Sequence, residues 1–79
     1  MPKTFVEVIV KYSIDGQNLP LILLWEDGRE FLIDNVTDVR RAASLNVGGK
    51  GLRYTCCIQR RQIYLFLDHD KWFIDAPTL

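Results

Sequence analysis

Arg40, Arg41, Lys50, Arg53, Arg60 and Arg61 fall in the one stretch from Asp38 to Arg61, where Asp38 is the single acid. Guanidinium holds phosphate or carboxylate through two parallel hydrogen bonds, so the chemistry on offer is capture of an anionic partner. The flanks have the opposite balance, three basic groups against six acidic ones before this stretch and one against three after it, and the total is zero. A dedicated nucleic-acid binder is usually a markedly basic domain, and a pI near 6.5 argues against that use. The bland alternative is a solvated arginine rim paired with Glu7, Asp34 and Asp68.

Other reactive side chains do not assemble into a site. His69 is the sole histidine and sits between Asp68 and Asp70 at a predicted turn, which leaves a serine or cysteine nucleophile without a base. Cys56 and Cys57 are adjacent in an alternating run, so they should point to opposite faces, Cys56 as a small core residue and Cys57 as a free thiol. With one histidine and two divergent sulfurs, no metal site is expected. Glu26 and Asp27 are neighbours of opposite direction and cannot act as a facing acid and base. Gly48-Gly49-Lys50-Gly51 lacks both the spacing and the following helix of a phosphate-binding loop. The chain therefore reads as a protein without catalysis or cofactor.

These residues must be positioned by strands. Thr4 to Tyr12 alternates, with Val6, Val8, Val10 and Tyr12 on one face and Phe5, Glu7, Ile9 and Lys11 on the other. Asp15-Gly16 marks a turn. Pro20 to Glu26, apolar on both faces, suits a central strand with Pro20 at its first position. Asp27-Gly28 offers the positive dihedrals of a two-residue hairpin turn, and Arg29 to Val36 follows with Phe31 and Ile33 inward. Residues 37–45 either continue that strand through a bulge or form one short helical turn capped by Thr37; the preceding alternation favours the strand. The glycines of 46–51 make a loop.

Leu52 to Gln59 and Gln62 to Asp68 then form a hairpin about Arg60-Arg61. This register pairs Ile58 with Ile63, Cys56 with Leu65, Thr55 with Phe66 and Arg53 with Asp68. One face carries Tyr54, Cys56, Ile58, Ile63, Leu65 and Leu67, the other Arg53, Thr55, Cys57, Tyr64, Phe66 and Asp68. After a turn at Asp68-His69-Asp70, Lys71 to Ala76 is the last strand, with Trp72 and Ile74 on one side and Phe73 on the other.

The 79 residues make one domain, 1–79, near the lower size limit for a single apolar core. Its expected stability is about 4 to 10 kcal/mol. The longest apolar run, Leu19 to Trp25, is too short to span a bilayer, and no signal-peptide core follows Met1-Pro2-Lys3, which places the chain in the cytoplasm without membrane contact. The fold class is all-β: a small, strongly curved antiparallel barrel of five to six strands, Src-homology-3-like.

The strings Trp25-Glu26-Asp27-Gly28-Arg29, Phe31-Leu32-Ile33-Asp34, Asp38-Val39-Arg40-Arg41-Ala42-Ala43-Ser44, Gly48-Gly49-Lys50-Gly51-Leu52-Arg53-Tyr54-Thr55 and Trp72-Phe73 resemble a family of small uncharacterised β-barrel proteins from clostridia and related Gram-positive bacteria. That resemblance implies the barrel and the cytoplasm, and it carries over no site residue.

Two functions remain. Phe5, Ile9, Tyr64, Phe66 and Phe73 exceed what one small interior can hold, which fits a protein partner or a homodimer in which acidic flanks meet the basic middle. Alternatively, Arg40, Arg41, Arg53, Arg60 and Arg61 hold phosphates while Tyr64, Phe66 and Trp25 stack on single-stranded bases.

Overall fold

A computed structural model describes residues 3–42 and 51–74 of the chain. Seven strands follow one another: β1 (Thr4–Tyr12), β2 (Asn18–Leu24), β3 (Glu30–Leu32), β4 (Asn35–Ala42), β5 (Gly51–Ile58), β6 (Arg61–Asp68) and β7 (Lys71–Ile74). They form one antiparallel sheet in the order β3-β2-β1-β7-β6-β5-β4. Successive strands are neighbours with the one exception of β3 and β4, and one pairing joins strands that are not successive. β1 pairs with β7, which ties the two ends of the described chain together, whereas β3 and β4 lie at opposite edges although only Ile33 and Asp34 separate them.

That two-residue link curls the sheet. The Ile33 N–H donates to the Leu21 carbonyl and the Asp34 N–H to the Cys57 carbonyl, each at 2.9 Å, so the chain leaves one edge and joins the other within a single step. The result is an all-β half-barrel. The expected third strand, Arg29 to Val36, is divided at this crossing, which raises the count from the anticipated five or six to seven. Residues 37–42 continue as strand through a bulge between Val36 and Asp38, not as a helical turn, and the Thr37 hydroxyl donates to the Thr55 carbonyl at 3.3 Å. Residues 43–45, most of the loop 46–51 and the anticipated end of the last strand lie outside the described residues; Gly51 opens β5.

Pro20 is third in β2, not first, and it faces Val10 where the β1–β2 register shifts. Lys11 and Leu19 form a bonded pair two steps from the Ser13–Gln17 closure, so the imide nitrogen of Pro20 points away from β1. There β3 does not reach, because it pairs only with Ile22 to Leu24. No ladder bond is lost to the missing N–H.

Two kinds of turn set the registers. In Trp25–Arg29 the Gly28 N–H donates to the Trp25 carbonyl at 3.0 Å and the Trp25 N–H to the Arg29 carbonyl at 2.8 Å, and Gly28 alone has positive φ, at 91°. This is a three-residue loop with an αL glycine, a correction to the two-residue turn expected of Asp27-Gly28. Ser13–Gln17 repeats the pattern with Gly16. The β5–β6 and β6–β7 hairpins close on two-residue turns with both φ values positive, Gln59 (51°) with Arg60 (65°) and His69 (50°) with Asp70 (65°).

The β5–β6 turn is therefore Gln59-Arg60 and not Arg60-Arg61. Cys56 pairs with Ile63, Thr55 with Tyr64 and Arg53 with Phe66, each two residues from the expected partner. A shift of two leaves every side chain on its anticipated face, because the pleat also repeats every two residues. The expected Arg53–Asp68 pairing is lost, and Lys71 stands opposite Asp68 instead.

The concave face holds the core: Leu23, Trp25, Phe31, Ile33, Tyr54, Cys56, Ile58, Leu65 and Ile74 are buried in one cluster, with Val6, Val8, Leu52, Leu67 and Trp72 packed around it. Trp25 thus fills the interior and offers no stacking surface. Among the described residues no helix is long and apolar enough to cross a membrane.

Candidate functional site

The antiparallel registers line up one row of side chains across the convex face. Phe5 on β1 stands opposite Phe73 on β7, Phe73 opposite Phe66 on β6, Phe66 opposite Arg53 on β5, and Arg53 opposite Arg40 on β4. Each is placed there by local alternation, and five strands place them side by side.

The centre of the row is aromatic. The Phe66 and Phe73 rings stack at 5.1 Å and 7°, while Phe5 meets Phe73 edge-on at 5.7 Å and 63°. The Lys3 ammonium lies 5.0 Å from the centre of the Phe73 ring. Phe73 is consequently only 3% exposed although it points away from the core, whereas Phe5 remains 59% exposed and Tyr64 44%. Of the surplus apolar residues, Phe73 is buried, Phe66 is half-buried, and Phe5, Ile9 and Tyr64 stay open to solvent.

At the basic end the Arg53 guanidinium lies over the Tyr64 ring, 4.8 Å from its centre, and the Gln62 amide donates to the Tyr64 hydroxyl at 3.4 Å. Arg40 is held by Asp38 on its own strand, Nε to Oδ2 at 2.7 Å. The anticipated rim pairs with Glu7, Asp34 and Asp68 do not involve Arg40. Toward the other edge of the face Glu7 stands opposite Leu24 and Leu24 opposite Glu30, and one step on come Ile9, Ile22 and Leu32. The convex face thus runs from carboxylates and aliphatics through stacked rings to guanidinium groups.

Of the residues singled out from sequence, Arg40, Arg53, Tyr64 and Phe66 come together here. Arg41, opposite Leu52, and Arg61, opposite Ile58, have the parity of the concave face and lie exposed at its rim. Arg61 lines a small cleft with Arg29, Phe31 and Ile63. Arg60 stands at the tip of the β5–β6 turn. The basic block is continuous in sequence and divided in space. Alternation assigned Phe5 and Phe73 to the outer face but not to this row: the β6–β7 pairing sets Phe73 beside Phe66, and the β1–β7 pairing sets Phe5 beside Phe73.

The remaining reactive groups are dispersed. Cys56 and Cys57 are free thiols, the first buried and the second half-buried on the other face, as alternation requires. Burial pushes the Cys56 thiol up to about 11, which suppresses the thiolate. His69 Nε2 lies 3.6 Å from Asp68 Oδ1 with its ring in solvent. At the two glycine turns, the Ser13 hydroxyl holds the Asp15 carboxyl below its ordinary value and the Arg29 backbone N–H does the same for Asp27. Among the described residues no three His, Cys, Asp or Glu side chains group to hold a metal ion.

No family model, curated protein or solved structure matches this chain. Its geometry is the ground on which a function is read.

Proposed function

We propose that the chain is a non-enzymatic, cytoplasmic protein-binding module of the Src-homology-3-like kind, which docks its partner on the convex face. The observation that carries this reading is the row Phe5–Phe73–Phe66–Arg53–Arg40, with the open Tyr64 ring beside it. Aromatic and arginine side chains are the residues that most often anchor protein interfaces, since rings bury large area at little cost in rotamer freedom and the guanidinium fork holds carboxylate through two hydrogen bonds. The partner surface that fits is apolar with carboxylates at one side, to meet Arg53 and Arg40.

Single-stranded nucleic acid is the second reading, supported by the Arg53–Tyr64 pair on which a base could stack. The separation of Arg41, Arg60 and Arg61 from that pair argues against a continuous phosphate track.

Capture from a nuclease-treated cell extract, by the wild-type chain and by an Arg53→Glu/Tyr64→Ser variant, tests the proposal. A protein retained by the wild type, lost by the variant and then bound as a purified component supports it. Capture indifferent to the substitutions overturns it, and a partner that vanishes with nuclease transfers the face to nucleic acid.

A further inference from the structure

β1 is interior by strand order, yet its two halves are paired on opposite sides and no residue of it is paired on both. β2 accompanies it from Glu7 to Tyr12, whereas β7 pairs with Thr4, Phe5 and Val6 alone and then turns away at His69-Asp70. Among the described residues no strand lies beside β1 on that side beyond Val6.

The direction of the open groups follows from the turns. Trp25 and Arg29 close the β2–β3 hairpin, so alternation directs Leu23 to β3 and Leu24 and Ile22 to β1. Glu7 and Ile9 therefore bond to β2, and Val8 directs its N–H and C=O outward. On the far side of the bulge, Ser13 bonds to Gln17, which directs Lys11 to β2 and turns Val10 and Tyr12 outward. Three N–H and three C=O groups thus face a cleft of about 710 Å³ lined by Val8, Val10, Tyr12, Lys71 and Trp72 among others. β4, the long strand at the sheet edge, is guarded by its bulge and by Arg40 and Arg41.

We propose that this edge is completed by the same edge of a second copy, in antiparallel pairing about a twofold axis at Val10. Backbone groups of Val8, Val10 and Tyr12 then meet those of Tyr12, Val10 and Val8 of the second copy, an arrangement in which both strands bond with the groups already turned outward. Side-chain charge selects a copy of this chain over an unrelated strand. Glu7 comes diagonally beside Lys11 of the second copy, and Lys11 beside its Glu7, within reach of long side chains. Moving the axis to Lys11 would place the two lysines opposite each other, and moving it to Ile9 would drive Tyr12 into the place of β7 beside Val6. The chosen register also lays Tyr12, 76% exposed, against the cleft at Val8 and Trp72.

This interface is independent of the convex-face reading. Sedimentation velocity of the full chain should show a dimer. Glu7→Lys and Lys11→Glu singly should each weaken it roughly tenfold through two like-charge contacts, and the double swap should restore it. Val10→Pro should give a monomer with unchanged strand signal in circular dichroism, since the lost N–H is one that no strand among the described residues uses. A wild type that is monomeric at high concentration, or single charge reversals that dimerise as the wild type does, overturns the proposal. A dimer abolished by Arg53→Glu and indifferent to the charge reversals also overturns it, and assigns self-association to the convex face.

Discussion

The Arg53 guanidinium rests over the Tyr64 ring at 4.8 Å, although the residue directly opposite Arg53 is Phe66. The contact is diagonal, from β5 to the residue two steps along β6, and it exists because the hairpin turns at Gln59-Arg60. Had the turn fallen one residue later, Phe66 would face Thr55 and Arg53 would face Asp68. One turn position decides whether this guanidinium neutralises a carboxylate or helps to build an open cation–aromatic surface.

A double-mutant cycle on Arg53→Ala and Tyr64→Ala should therefore give a favourable coupling of about 0.5–1 kcal/mol in urea unfolding, the range for a partly exposed cation–π pair. The same cycle on Arg53 and Asp68 should give a smaller coupling.

Phe73 should be the costliest ring to remove although it lies outside the core. Its truncation to alanine forfeits the Phe66 stack, the Phe5 edge contact and the Lys3 contact, at about 3–5 kcal/mol. Out of a total of about 4 to 10 kcal/mol, that should leave a marginal fold by thermal melting. Phe5→Ala, at the exposed end of the row, should cost about 1 kcal/mol or less.

Alkaline pH should destabilise the protein in a defined window. The Cys56 thiol is 1% exposed and is raised from 9.0 to about 11 by burial. Between these values the folded chain holds a proton that the unfolded chain has released, so unfolding stability falls as pH rises through pH 9 to 11, by about 2 kcal/mol at the upper end. Burial raises the Tyr54 phenol as well, which extends the loss in the same direction. Urea midpoints measured across this range should fall, and Cys56→Ala should flatten the slope whatever it costs at neutral pH.

The turns should respond in opposite directions. Gln59 and Arg60 are non-glycine residues with positive φ, so Gln59→Asn combined with Arg60→Gly should raise stability by about 0.5–1 kcal/mol. Gly28→Ala, at φ 91°, should lower it by about 1 kcal/mol. Because Arg60 stands apart from the convex row, the stabilised variant should retain partner capture.

Side-chain parity was legible in the residues themselves. The alternation of Val6, Val8 and Val10 against Phe5, Glu7 and Ile9, and of Tyr54, Cys56 and Ile58 against Arg53, Thr55 and Cys57, assigns each residue to one surface, because the pleat has a period of two that needs no distant partner. The all-β curl was legible as well, in short strands punctuated by Asp-Gly pairs. Tertiary structure decided which residues of one surface are neighbours: that Arg40 and Arg53 share a row while Arg41, Arg60 and Arg61 do not, that Trp25 is core, that Phe5 and Phe66 bury Phe73, and that β7 leaves β1 beyond Val6. These depend on register, which the exact turn position sets, and on the crossing at Ile33-Asp34 and the β1–β7 pairing, which join residues far apart in the chain; local alternation encodes neither.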